Sequence, residues 1–351
     1  MTPPRLSAEE ELSLMDWLGS LFRPILDAIY YVVPNYGWAV VIFTVLVKLV
    51  LLPLDIKSKR SMKRMAAVQP KMDALNKKYA NDKEKLNKKM MELYQKEKIS
   101  PMSGCLPLLI QMPLLFGMFA AMRIVANEEN VRMLLELKAA AEAAVKAGAA
   151  QIDLSAIDPL QSWFWIKNVF QPDSFMSTII PAFGDQLMGV YAMAGNEILT
   201  QANIDAVRAF LSDAELYSKC ASVFATDQMV NYPVFMLITT VNIVLPSSWS
   251  GLFTAANGLF LLPLLAAGSQ LLATKLTPTA GSTDPNSPTA STNKFMMYFF
   301  PIFSLWICAT SNAAFSIYWV ASNVIQIIQT IVVNKWMDAE DKKAALQKEG
   351  E

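Results

Sequence analysis

Residues 44–55 read TVLVKLVLLPLD and lie within a longer apolar run, 36–56, whose middle carries one full positive charge, Lys48. About 20 apolar residues is the length an α-helix needs to cross the hydrocarbon core of a bilayer. A lysine near the centre of such a helix costs roughly 2.5–3.5 kcal/mol on insertion scales. Such a charge either faces a cavity or partner, which marks function, or snorkels on its long stem to the interface. One stretch therefore proposes both a membrane fold and a place to look for function.

The surrounding sequence supports the membrane reading. The chain is 54% hydrophobic and only 17% charged, against about a quarter charged in ordinary soluble domains. Residues 99–122, 228–274 and 295–334 contain no Asp, Glu, Lys or Arg. Five spans follow: 36–56, 103–122, 250–273, 295–311 and 313–334, the last two sharing one charge-free stretch and joined by a tight turn. The expected fold is an all-α polytopic membrane protein with five transmembrane helices. Pro107 and Pro113 in the second span and Pro263 in the third are expected to break helix hydrogen bonds and curve those helices.

Charge balance sets the expected orientation. Residues 57–98 hold 14 Lys or Arg against 5 Asp or Glu, whereas 123–248 hold 7 against 13. The positive-inside rule places the first segment in the cytoplasm and the second outside. The segment 1–35 is then external, and 274–294 and 335–351 are cytoplasmic. Residues 234–246, thirteen in number and bracketed by Pro233 and Pro246, are short for a span. They are read as external or interfacial; a crossing there would reverse everything after it.

Local patterns fill in the rest. In 57–98, Met62, Met65, Leu75, Leu86, Met90 and Leu93 recur at helical spacing, and YANDK at 79–83 supplies a turn with Asn81 and Asp82 as caps. This is a helical hairpin most of whose lysines form a solvated face; clustered Lys and Arg also attract anionic lipid or RNA phosphates nonspecifically, and spacing does not separate these partners. Leu14, Trp17, Leu18, Leu21, Ile25 and Ile29 make 11–31 an amphipathic helix, suited to the membrane surface or to a protein face. The N-terminus lacks the pattern of a cleavable signal.

The chain contains no histidine, which excludes His-ligated zinc, Ser-His and Cys-His catalysis. Cys105, Cys220 and Cys308 are scattered singly, without metal or disulfide spacing. No motif sets a serine beside Lys48 for Ser-Lys hydrolysis. No cofactor is expected.

Polar residues inside the spans are the remaining candidates. Trp319, Asn323, Gln326 and Thr330 fall at i, i+4, i+7 and i+11, one face of the last span. Such a stripe serves as interhelical glue, worth about 0.6 kcal/mol per contact, or wets a cavity wall. Gln111 and Gln270 are weaker candidates of the same kind. The span offers Lys48 no acidic partner nearer than Asp55, seven residues on and about 10 Å away along the axis. An ion or small-molecule transporter or channel is one reading of such a charge. The odd span count and the lack of an internal repeat argue against common transporter folds.

Several stretches resemble the YidC membrane protein insertase family: NYGWAVVIFTVLVKLVLLPL at 35–54, the hairpin AVQPKMDALNKKYANDKEKLNKKMMELYQKEKIS running into GCLPLLIQMP at 104–113, LTP at 276–278, and FPIFSLWICATSNAAFSIYWVASNVIQIIQT at 300–330. The resemblance covers roughly 20–122, 160–174 and 250–336. It implies a non-enzymatic insertase in the bacterial cell membrane, with a hydrophilic groove enclosed by the five spans. A basic residue of the first span projects into that groove and attracts the hydrophilic tail of an incoming substrate. Lys48 takes that position, where the family usually has arginine; a buried lysine, unlike arginine, can lose its proton. Tyr318 and Trp319 match aromatics that contact substrate in the family. The implied partners are nascent membrane proteins, the ribosome, the Sec translocon and membrane lipid. Without a large domain near its N-terminus, the chain looks like the short, Gram-positive type. Residues 175–248 look like an insertion of unassigned role, and the near-neutral tail argues against ribosome docking through it.

Overall fold

A computed structural model describes residues 8–97, 106–152, 160–175, 177–181, 190–220, 229–234, 239–244, 256–277 and 288–349. The helices among them are α1 (Ala8–Val32), α2 (Tyr36–Lys78), α3 (Lys83–Lys96), α4 (Leu106–Lys146), α5 (Gln201–Ser212), α6 (Ala214–Lys219), α7 (Leu261–Leu276), α8 (Pro288–Thr310) and α9 (Ala313–Glu349). By length and composition, Tyr36–Lys78 and Ala313–Glu340 can cross a membrane, while Leu261–Leu276 and Met297–Thr310 are apolar but shorter.

Several helix limits differ from those drawn by apolarity. The first span and the first arm of the hairpin are one 43-residue helix, α2. The second span's helix runs past Met122 to Lys146, and the last continues past Asn334 to Glu349. Nothing after Ile56, Met122 or Asn334 stops a helix, because lysine, glutamate and alanine are good helix formers. In the third span, 250–255 lie outside the described residues, and α7 begins at Leu261. Pro263 is the third residue of α7, so its missing N–H costs no helical bond and curves nothing.

The described chain is largely helical, as expected of an all-α membrane fold, and adds one short strand pair. Strands β1 (Met229–Val234) and β2 (Thr239–Val244) pair antiparallel, with Met229 opposite Val244 and Val234 opposite Thr239. β-Branched residues dominate β2, TTVNIV. Six residues fall short of the nine to eleven of a spanning strand, and open edges are not tolerated in lipid. The doubtful segment 234–246 is therefore no spanning helix over its described part.

The chain divides into two compact units. One comprises Met1–Phe43, Phe116–Leu264 and Trp306–Tyr318. Here α1 buries Leu26 and sets Phe22 edge-on to Phe43 at 5.7 Å, while Arg23 pairs with Glu128. Its other apolar residues, Trp17, Leu21 and Ile25, recur every fourth position and stay exposed. The helix is thus protein-bound on one side and apolar on the other. Gly117 lies against the Phe22 ring, and any side chain there would occupy the ring's space.

The same unit holds a separate core built on the extension of α4. Val131, Leu134, Leu137, Ala141 and Ala144 form one helical face, packed with Ile204, Val207 and Phe210 of α5. Thr200 caps α5 by accepting from Asn203 N, and Asp213 caps α6. Cys220 fills this core, its thiol pushed up to about 11 by burial. It acts as a small apolar residue.

Two remote segments of this unit are tied by Asp173 and Asn257, both fully buried. The Asp173 carboxylate accepts from the backbone N–H groups of Leu259 (2.8 Å), Phe260 (3.2 Å) and Leu262 (2.6 Å), and from Trp165 Nε1 (3.2 Å). It caps α7 across 86 to 89 residues of sequence. Asn257 Oδ1 accepts from Asn168 N at 2.9 Å, and its Nδ2 donates to the carbonyls of Asn168 (3.0 Å) and Pro172 (2.9 Å). Phe260, at φ 62°, makes the left-handed step into the helix.

The other unit comprises Thr44–Leu115, Leu265–Leu305 and Trp319–Glu351. Its hairpin is closed by Met65, Val68 and Met72 of α2 against Met90, Leu93 and Tyr94 of α3. Asp82 caps α3, accepting from Lys85 N at 3.1 Å, and that bond holds its carboxyl below the usual range. Asp82→Ala should fray the first turn of α3, since it removes the acceptor for Lys85 N. Hydrogen exchange should then speed up at 83–86 with α2 protection unchanged; equal loss in both arms would show that the cap holds the whole hairpin.

Candidate functional site

In the second unit, α2 carries Thr44, Lys48, Asp55 and Lys59 at i, i+4, i+11 and i+15, all on one helical face. Lys48 is 3% exposed, Thr44 1% and Lys59 2%. Lys48 Nζ donates to Gln326 Oε1 at 3.2 Å, and Gln329 Nε2 reaches the Lys48 carbonyl at 3.5 Å. Thr330 Oγ1 donates back to the Gln326 carbonyl at 2.7 Å. One turn earlier on α9, Asn323 Nδ2 donates to Ser269 Oγ of α7 at 3.1 Å and to the Ala266 carbonyl at 3.4 Å. Trp319, a further turn up, lies near Phe303 with ring centroids 6.3 Å apart.

A second set of contacts joins α2 and α9 further along both helices. Arg60 pairs with Glu340 at 3.1 Å and Lys63 with Asp338 at 2.7 Å, while the Arg60 guanidinium sits 4.5 Å from the Trp336 ring centroid. These contacts lie later than Lys48–Gln326 on both helices, so α2 and α9 run in the same direction, although the two ion pairs themselves cross. The charges are partly solvated, so each pair contributes about 0–1 kcal/mol.

Several buried polar atoms in this unit are unsatisfied among the described residues. Ser58 Oγ, Lys59 Nζ, Gln69 Oε1, Ser304 Oγ and Gln329 Oε1 are buried without a hydrogen-bond partner among the described residues. Each such atom costs about 1–3 kcal/mol unless water or a ligand satisfies it. Asp55 acts electrostatically on both Lys48 and Lys59. Cations, amides and hydroxyls in a sparsely bonded interior can hydrate a polar chain and attract carboxylates.

The sequence-derived candidates separate into three groups. Lys48, Trp319, Asn323, Gln326 and Thr330 fall within this unit, and the contacts above tie Lys48 to Gln326. Gln270 is half-buried beside Ser269 on α7. Tyr318 belongs to the other unit, 1% exposed, its ring 6.1 Å from that of Phe315 and inside a packed core. The Gln111 side chain lies outside the described residues. Sequence reasoning missed Lys59, Ser58 and Gln329. Lys59 was legible from its i+11 offset to Lys48, but read as one of many solvated hairpin lysines.

Comparison with known proteins places the sequence in a family. The family model described as 60Kd inner membrane protein matches residues 28–342. A protein of Leptospira interrogans named membrane protein insertase YidC is 28% identical over 324 residues, 92% of this chain and 34% of that protein. Proteins with the same name from Thioalkalivibrio sulfidiphilus and Fusobacterium nucleatum are 44% identical over 116 residues and 48% over 91. Those two matches cover 33% and 26% of this chain, and 21% and 44% of the relatives. The chain thus spans a fifth to under a half of the length of these relatives. With nine-tenths of its length matched by the family model, the chain belongs to the 60Kd inner membrane protein family.

Proposed function

We propose that the chain is a membrane protein insertase that moves the hydrophilic tail of a nascent membrane protein through a hydrated groove and releases its apolar segment into lipid. The observation that carries this reading is the buried Lys48–Gln326 contact in an interior with several unsatisfied polar atoms. A hydrated, cationic interior shortens the low-dielectric path of a polar tail and attracts its carboxylates. The apolar part then enters lipid, driven by about 25 cal/mol per Å² buried. No covalent step and no cofactor are required.

Five spans with the N-terminus outside and the C-terminus in the cytoplasm complete the proposal. The common direction of α2 and α9 supports it, since a first and a fifth span must run the same way. Nascent membrane proteins are the proposed substrates, with the ribosome and the Sec translocon as partners.

Purified protein in liposomes should insert a short single-span substrate while leaking neither ions nor small solutes. Flux without insertion would replace this reading with a transporter. Orientation is checked by Lys83→Cys and Asp205→Cys in a background lacking Cys105, Cys220 and Cys308. A membrane-impermeant reagent should label position 205 in intact cells and position 83 only after permeabilisation. The reverse pattern would overturn the topology.

A further inference from the structure

Lys59 is the group in the second unit that the proposed mechanism leaves unexplained. Its ammonium is buried, with no hydrogen-bond partner among the described residues, and the neighbouring Ser58 Oγ is equally unsatisfied. An ammonium kept in such a position loses its hydration without a compensating bond, a cost that sequences ordinarily remove. Lys59 could snorkel to solvent on its four-carbon stem, as the exposed Lys57 neighbourhood would allow, yet it is 2% exposed. It shares a helical face with Lys48, eleven residues away, or about 16 Å along the axis. Asp55 lies between them and acts on both.

We propose that Lys59 is a second cation site, on the same face of α2 as Lys48, for carboxylates of the polypeptide segment being moved. This rests on the insertase reading and adds to it a second point of attachment. An extended chain advances about 3.3 Å per residue, so roughly five residues bridge the two ammonium groups. A single lipid headgroup reaches one of them only, whereas a polypeptide segment of that length reaches both. Asp55, four residues before Lys59, competes with the incoming carboxylate and keeps the site from holding it too tightly. A chain with spaced acidic residues is then handed from one lysine to the other, and a chain with a single acidic residue gains less.

The test uses the full chain in nanodiscs and two fluorescent peptides, one with spaced aspartates and one with asparagines in their place. Lys59→Met should weaken the aspartate peptide about fivefold to tenfold and leave the asparagine peptide unchanged, while Lys59→Arg binds as the native chain does. Asp55→Asn, made in a Lys48→Ala background because Asp55 acts on both lysines, should tighten the aspartate peptide and thereby tests the site even where Lys59→Met misfolds. Equal loss for both peptides, no loss for either, or an Asp55→Asn variant with unaltered affinity would overturn the proposal. An effect of Lys59→Met confined to bilayers rich in phosphatidylglycerol would overturn it in favour of a lipid site. If Lys48→Ala separates the two peptides and Lys59→Met does not, the insertase reading stands and the second site falls. If both separate them but the liposomes insert nothing, the carboxylate sites stand and the insertase reading falls.

Discussion

Lys48→Ala should slow insertion of a substrate with an acidic tail by on the order of tenfold to a hundredfold, and should slow its neutral-tailed counterpart far less. A carboxylate near 4 Å from an ammonium at an effective dielectric of about 20 gains about 4 kcal/mol, well above the 0–1 kcal/mol of a surface pair. Part of that gain is offset by desolvation of the tail. Lys48→Arg should retain activity, since the charge is kept and guanidinium can still donate to the Gln326 amide. Lys48→Glu should be the most impaired on acidic tails, because attraction becomes repulsion. Gln326→Leu should give a smaller defect on both substrates, since it removes a positioning contact and leaves the charge. The measurement is insertion of paired acidic and neutral versions of one protein across these variants. Equal activity of Lys48→Ala on both versions would rule out electrostatic recruitment and leave Lys48 a hydrating residue.

Asp173→Ala is expected to have the largest effect on stability. It strips the acceptor from three backbone N–H groups and one indole N–H, all tied to a fully buried carboxylate. Leaving such donors unsatisfied should cost about 3–5 kcal/mol. The midpoint of thermal aggregation in detergent should fall by roughly 5–10 °C. Trp165→Phe, which removes a single donor, should cost about 1 kcal/mol. Gly258→Ala should act in the same direction as Asp173→Ala, because its new methyl would meet the Asp173 carboxylate. A fall no larger than that of Trp165→Phe would show that the start of α7 is held by other contacts.

What the sequence disclosed and what it hid follow from the reach of each interaction. The Asp82 cap, the apolar runs of α2 and α9 and the polar stripe Trp319–Asn323–Gln326–Thr330 are local patterns, and a local pattern is visible in a window of residues. The helices run on past the spans drawn by apolarity because apolarity marks where lipid would end, whereas a helix ends where its backbone bonds do. KSKRSMKRM after Ile56 contains no residue that breaks them. The strand pair 229–244 was hidden in a short apolar run that periodicity alone does not distinguish from a buried helix. Asp173 and Asn257 act across more than 80 residues and belong to no repeating pattern. Tyr318 and Trp319 are adjacent in sequence, and one turn step sends the first into a packed core and the second toward the polar stripe.

The two levels of contact between α2 and α9 also limit how these helices can move. Both helices are fastened at Lys48–Gln326 and again at Arg60–Glu340 and Lys63–Asp338. Sliding one past the other by a single residue, about 1.5 Å, would strain every one of these contacts together. Tilting about the Arg60 level instead lengthens only the bond at Lys48. The pair therefore resists shear more than tilt, and since the Arg60 and Lys63 pairs are partly solvated and contribute about 0–1 kcal/mol each, the buried Lys48 level is the firmer of the two.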